Sequence, residues 1–505
     1  MSVIPSTGTT DVKQITMPTT SSGDTLYVGG SGPGNYTSIQ DAVDDAVDGD
    51  TVFVYDDSSP YTGYIHVEKS INIIGENKLT TVVFHDSYCC FALNVDRINI
   101  SGFTLKDTAY CDYGLRIWET SNHSIIDNII IGMDNGIDLM HSNNNYIMNN
   151  EIKDGGAGVD IGYDSSFNII DNNDFLNNNC GVALNAVSNN NTISNNYLTK
   201  CGFSVSSDSY QNTFFGNLIN DKPFLFLVGE QDLIFDGVDV GEIIIINCDN
   251  ITVQNIEISE STYAMKLIYS DHCFISNNTF QLNKHSGIIL DSCNYNTITD
   301  NFIYSNSRMG VSLYSEYLVL CGYNNISGNN IIDNLMHGVY ISESNNNIIS
   351  GNTIQGNGFH PNIYYFGAGV FLEFDADNNK LLHNIIQDNY HGISIRYSRF
   401  NSILYNLITN NTENGIHLDK SGFNSIKFNN IISNKKDVSF FKYLFLRNYL
   451  RRNYWDSWMG FGPKIIFGKR MIITGTDHWG QPVYSPIPWV IFDWNPAQEP
   501  YDIGV

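Results

Sequence analysis

Four consecutive segments, GLRIWETSNHSIIDNIIIGMDN (Gly114–Asn135), GIDLMHSNNNYIMNNEIKDGGA (Gly136–Ala157), GVDIGYDSSFNIIDNNDFLNNNC (Gly158–Cys180) and GVALNAVSNNNTISNNYLTKC (Gly181–Cys201), decide the fold because each repeats the one before. Their leading glycines and Gly202 lie 22, 22, 23 and 21 residues apart, one structural unit per period. Residues one and three after each glycine are apolar: Leu115 and Ile117, Ile137 and Leu139, Val159 and Ile161, Val182 and Leu184. A short strand starts there, with alternate side chains directed inward. Ile125, Ile147 and Ile169 follow eleven residues after the glycine, and Ile130, Ile152 and Tyr197 sixteen after, predicting two more strands per unit. Three strands in so short a period leave no room for a helix. Asn128, Asn150, Asn172 and Asn195 recur near the second bend, where asparagine tolerates the left-handed backbone and identical amides on stacked turns can bond to one another. These features predict a parallel β-helix; a β-propeller or leucine-rich horseshoe needs longer blades or a helix per repeat.

In a solenoid, 505 residues form one long domain stabilised coil by coil. Lys plus Arg number 26 against 53 Asp plus Glu, a net charge of −27, which argues against nucleic acid as a partner. Only 16% of residues are charged, so Asn, Ser and Thr make most of the polar surface, a composition suited to neutral glycans. The apolar runs 224–228 and 243–246 are too short to span a membrane. Met1 to Gly23 has no apolar core of a signal peptide and reads as a disordered, low-complexity lead of the kind that follows a cleaved one. Nine cysteines without a CxxC pair give no support to zinc or haem attachment. Cys180 and Cys201 are expected to stack as packed thiols or as a disulfide, and Cys89, Cys90 and Cys111 form a second possible cluster.

Along the chain, Asp24 to Gly30 alternates as a strand. An amphipathic helix follows, with Ile39, Ala42, Val43, Ala46 and Val47 on one face, Thr37 or Ser38 as cap and Gly49 as stop. It is expected to lie across the open first coil. The runs YTSIQDAVDDAVDGDTVFV and YTGYIHVEKSINIIGENKLTTVV resemble the opening of pectate-lyase-like β-helix proteins of the NosD type, and the later GIxLxxSxxNxIxxNxI coils are similar to their carbohydrate-binding and sugar-hydrolase repeats. The resemblance covers the chain from about Asp24 onward. It implies a right-handed parallel β-helix, all-β, with a short N-terminal capping helix and an aromatic-rich C-terminal cap. It is weakly specific for function, since the group includes lyases, hydrolases, epimerases, adhesins and copper-site accessory proteins. The motifs of its catalytic members are not matched: His337 and His391 precede single glycines without a nearby RxK, and no DPH stands in the chain. Its copper role does not carry over either, since the histidines are dispersed without HxH or a His/Met cluster.

The expected organisation is a lead (1–23), a cap with first coils (24–113), regular coils (114–445) loosened at about 221–262, and a C-terminal cap (446–505). Regular coils resume at Ala264 and continue at Gly287, Gly310, Gly338, Gly369, Gly392 and Gly415; intervals of 28 and 31 residues predict inserted loops at 317–323 and 359–366. The tail carries Trp455, Trp458, Trp479, Trp489 and Trp494 and is expected to cover the last coil or to offer a platform for sugar stacking.

Chemistry is expected on the outward positions two and four residues after each glycine. Arg116, Asp138, Asp160 and Trp118 form one group, where paired carboxylates could share a proton or bind calcium and the arginine could neutralise a uronate. Glu373, Arg396 and Asp419, with His417 nearby, form a second, of acid/base type. Tyr314, Tyr340, Phe371, His417 and Trp118 are candidate sugar contacts. Both charged groups read first as surface ion-pair ladders, with chemistry as the alternative. Asp56 and Asp57 read as a turn rather than a calcium site. The sequence therefore leads to an extracellular or cell-surface β-helix that binds a polysaccharide or surface glycan, with no assigned catalysis or cofactor beyond possible calcium. A polysaccharide lyase, hydrolase or epimerase and a purely structural rod are the alternatives.

Overall fold

The computed structural model describes residues 23–85, 88–107, 112–315, 319–360, 367–442, 446–476 and 481–503. Residues 1–22 of the expected lead, 317–318 and 361–366 of the two inserted loops, Cys111 and Trp479 lie outside them. The chain winds into a right-handed β-solenoid of about 18 turns. Each regular turn contributes three short parallel strands, as in His391–Arg396, Ser402–Leu404 and Leu407–Thr409, which pair in register with the coil below. The glycine that opens the coil is dictated by close approach. A Cβ on Gly338 would lie 2.6 Å from the carbonyl oxygen of Gly369 and 2.7 Å from Ile354 Cγ2.

The bend that the sequence assigns to one asparagine uses two neighbouring residues. Asp127, Asn149, Asn172 and Asn195 hold the left-handed backbone, with φ of 58°, 58°, 52° and 52°. The next residues, Asn128, Asn150, Asn173 and Asn196, are buried and build the ladder. Asn150 N donates to Asn173 Oδ1 at 3.0 Å, and Asn173 N to Asn196 Oδ1 at 2.9 Å. The turn after the first strand gains one residue in the coils starting at Gly158 and Gly181. Ile170 and Leu198 therefore point inward where Ile169 and Tyr197 were expected.

The helix Ile39–Asp45 buries Ile39, Ala42 and Val43 against the first coil, and Ser38 caps it by accepting from Asp41 N at 3.4 Å. It ends earlier than its periodicity suggests, because Ala46 is already extended, and Val47 projects into solvent. Asp56 and Asp57 serve local bonds, from Thr80 Oγ1 at 2.5 Å and Gly30 N at 2.9 Å. Cys180, Cys201, Cys248, Cys273, Cys293 and Cys321 are free thiols.

The loosened stretch near 221–262 is a junction between two stacks. Leu218–Ile219 turns back antiparallel onto Lys222–Val228, and parallel stacking restarts with Glu242–Ile246. The first stack therefore ends on Phe203–Val205, whose free edge must find partners. It finds them on the outward face of the second stack. Gly202 N donates to Thr262 Oγ1 at 2.9 Å, Phe203 N to Glu242 Oε2 at 3.2 Å, and Lys266 Nζ to Val205 O at 2.8 Å. Ile244, Ile246 and Ile268 pack with Phe203, Phe214, Phe224 and Phe226. The outward column expected to be a continuous exposed face is thus covered at Lys266, Ile268, Ile289 and Asp291, all buried. It opens again toward the C-terminal end.

There Trp455 enters the core and the long hairpin Lys464–Thr476/Pro482–Asp493 closes the stack. Asp493 accepts from Asn453 N and Trp455 Nε1 at 3.0 and 3.2 Å, ending an asparagine ladder on a carboxylate.

Candidate functional site

Parallel pairing in register stacks residues distant in sequence. Tyr340, Phe371, Ser394 and His417 occupy consecutive rungs of one column, and Ser342, Glu373, Arg396 and Asp419 those of the next. A third column, one residue before the glycine, brings in His337 and His391. All of these but Ser342, together with Met309 and Met336, line a cleft of about 530 Å³.

Arg396 stands between two carboxylates, its guanidinium 3.2 Å from Glu373 Oε1 and its Nε 3.7 Å from Asp419 Oδ2. Tyr340 donates its hydroxyl to Glu373 Oε2 at 3.2 Å. Burial raises the Glu373 carboxyl above its ordinary range, against the pull of Arg396. Burial also pushes the Tyr340 phenol up to about 12. The three imidazoles are held neutral by burial: His337 is pushed down to about 3, His391 to about 4, and His417 is lowered with partial opposition from Asp419. His337 Nδ1 accepts from Ala368 N at 3.1 Å, which directs its Nε2–H away from the backbone. His391 and His417 stack with ring centroids 5.3 Å apart, and His417 Nδ1 lies 2.8 Å from Ser439 Oγ. The cleft thus offers neutral proton acceptors and donors, an aromatic wall and a charge triad in one place.

Arg116, Asp138 and Asp160 also fall in adjacent rungs. Arg116 lies 4.0 Å from Asp138 Oδ2 and covers the Trp118 ring at 4.3 Å. Asn135 Nδ2 bridges Asp138 Oδ1 and Asp160 Oδ2 at 3.4 and 3.3 Å, and Asn185 Nδ2 donates to Asp160 Oδ1 at 2.9 Å. Burial and Asp160 push the Asp138 carboxyl up to about 7, and burial raises Asp160. Protein amides hold both Asp160 oxygens, Asp138 Oδ2 and Arg116 Nε are buried without hydrogen-bond partners, and the second group faces a cleft. Tyr314 shares a column with Glu373 but does not line that cleft. The sequence reading named His337 and His391 only for a motif they lack. Their signal was recurrence one residue before the coil glycine.

This architecture defines a right-handed parallel β-helix protein. The model of the family described as periplasmic copper-binding protein (NosD) matches residues 43–230 and 231–367, and the chain belongs to that family. A model of the right handed beta helix region matches residues 314–453. No curated protein matches. Among solved structures, the A-module of the mannuronan C-5 epimerase AlgE4 of Azotobacter vinelandii is 14% identical, over 79% of this chain and 92% of that one, at a TM-score of 0.36. An alginate lyase from Paenibacillus sp. str. FPU-7 is 11% identical over 56% of this chain and 88% of that one, at 0.31.

The family description names copper, and the fold gathers histidines and methionines that are dispersed in sequence. Their geometry does not suit a shared ion. The rings of His391 and His417 lie parallel within 14°, so their lone pairs do not converge, and His337 stacks on Tyr340. Among the described residues no group of three or more His, Cys, Asp or Glu is arranged to hold a metal. No helix among them is long and apolar enough to cross a membrane.

Proposed function

We propose that this protein binds a hydroxyl-rich polysaccharide outside the cytoplasm, in the cleft of Tyr340, Phe371, Glu373, Arg396, His417 and Asp419. The observation that carries the reading is the placement of an aromatic wall beside a charge triad in one open cleft. Aromatic faces accept the apolar side of a sugar ring, while fixed carboxylate and guanidinium groups bond its hydroxyls. Arg396 is already matched by Glu373 and Asp419, so the cleft holds no surplus positive charge and favours a neutral sugar over a uronate. The experiment is calorimetric titration of the full chain with neutral and uronate-containing oligosaccharides, with and without calcium. Saturable binding of a neutral glycan that Arg396→Gln weakens about tenfold is expected, the effect of one charge-assisted hydrogen bond. Absence of saturable binding across the panel refutes the reading and leaves a structural rod.

A second reading is supported by the Tyr340–Glu373 hydrogen bond and by the burial that raises the Glu373 carboxyl toward the range in which it can both give and take a proton. Under it the protein cleaves or epimerises its glycan. New reducing ends or unsaturated product, lost in Glu373→Gln with the fold intact, would favour it over binding alone.

A further inference from the structure

The C-terminal end carries a charge opposite to that of the molecule. Residues 435–470 hold nine Lys and Arg against two Asp, in a chain of net charge −27. Both acids are engaged elsewhere: Asp437 pairs with Lys464 at 2.8 Å, and Asp456 accepts from Ser433 N at 2.7 Å. Between the last coil and the closing hairpin lies a pocket of about 860 Å³, lined among others by Lys442, Arg447, Arg451, Arg470, Trp489 and Trp494.

Among the described residues no carboxylate lines this pocket. The nearest acid in sequence, Asp493, is buried and saturated by N–H donors from Arg452, Asn453, Trp455 and Asn495. Among the described residues no ion pair reaches Lys442, Arg447, Arg451 or Arg470. Instead Arg470 lies over the Trp489 ring at 4.5 Å and Lys442 at 5.8 Å from its centroid, so one indole holds two cations. Arg470 Nε is buried without a hydrogen-bond partner. Burial and the neighbouring Arg470 and Arg447 lower the Lys442 ammonium below its usual range. Clustered cations without counter-charge are costly to hold, and a bound anion relieves that cost.

We infer that this pocket binds the carboxylate or sulfate groups of an acidic saccharide, at a site separate from the cleft and of opposite charge preference. Exposed Tyr449 and Trp494 beside the cations offer flat faces for sugar rings. A lipid surface fits less well. Among the exposed apolar residues of the hairpin, Ile465, Phe467 and Ile473 alternate with the row of Ile466, Gly468 and Arg470, so a membrane meeting them would lie on the other face, and Trp489, on the Arg470 side, is covered by two cations.

The test titrates the full chain with an oligogalacturonate and a heparin-derived oligosaccharide. A maltooligosaccharide serves as neutral control, and phosphatidylglycerol vesicles, a single-stranded oligonucleotide and inorganic phosphate as rival anions. Saturable, salt-sensitive binding of an acidic oligosaccharide is expected, weakened about tenfold or more by Lys442→Gln/Arg470→Gln, the effect of losing charge-assisted contacts. If that pair fails to fold, Arg447→Gln/Arg451→Gln is read in its place. Binding of a neutral glycan in the cleft should be unchanged in either variant, so failure of one reading leaves the other standing. The inference is overturned if no acidic oligosaccharide binds, if the folded variants bind it equally well, or if vesicles, oligonucleotide or phosphate alone bind as tightly.

Discussion

Arg396 is the residue whose removal tests the cleft most directly. Its guanidinium lies 3.2 Å from Glu373, whose side chain is 10% exposed, while its own is 44% exposed. Breaking a fully buried pair by removing one partner costs about 3–5 kcal/mol, and an exposed pair contributes about 0–1 kcal/mol. The half-exposed arginine places Arg396→Gln between these limits, at about 1–2 kcal/mol near pH 8. The loss has a defined pH dependence. Burial already raises the folded-state Glu373 carboxyl, and without Arg396 its principal opposing influence is gone, so it rises further. A carboxyl raised in the folded state contributes stability that is present below its unfolded value and lost as pH rises through the folded one. The variant therefore matches the parent in strong acid and falls behind it as pH rises past about 4.3, the ordinary glutamate value. Glu373→Gln removes the charge while keeping an acceptor for Tyr340, so adding Arg396→Gln to it should cost less than about 0.5 kcal/mol, the residue of the more exposed contact with Asp419. Urea unfolding followed by circular dichroism from acid to mild alkali would measure all four proteins. A loss that is independent of pH, or the same in the Glu373→Gln background, refutes this account of the triad.

Two further outcomes concern the solenoid. At the junction, burial pushes the Glu242 carboxyl up to about 8. The parent should thus lose stability relative to Glu242→Gln from about pH 4.5 up to about 8, by at most about 1.4 kcal/mol per pH unit, and run parallel to it above that; parallel curves throughout would show that Glu242 is ionised when folded. In the ladder, Asn352 accepts from Asn329 N at 2.9 Å and donates to Ile326 O at 2.8 Å and Asn384 Oδ1 at 2.9 Å. Asn352→Ala should cost about 2–5 kcal/mol for the buried groups left without partners, against about 1–2 kcal/mol for Ala at the left-handed Asn172, and the reverse ranking in urea midpoints would contradict the division of roles at the bend.

Local chemistry that repeats was legible from the chain alone. Apolar residues one and three after a glycine, with an asparagine at each bend, suit only a stacked coil, and stacking in register then places Glu373, Arg396 and Asp419 on successive rungs. Exact positions slipped where one added residue in a turn moved the inward set by one, from Ile169 to Ile170 and from Asn172 to Asn173. Spacing says how many residues a turn has, not which of them faces inward. The remainder depended on surfaces meeting across long separations. Burial of Lys266 and Ile268 follows from the chain reversing at Lys222–Val228, so that one stack ends against the flank of the other. His337 and His391 gained a cleft because two rungs of pairing put them beside His417, and Arg470 met Lys442 because the closing hairpin folds back onto the last coil. A periodic sequence specifies each coil through contacts with its neighbours; where the stack bends, ends and gathers charge is settled by contacts between residues that no period relates.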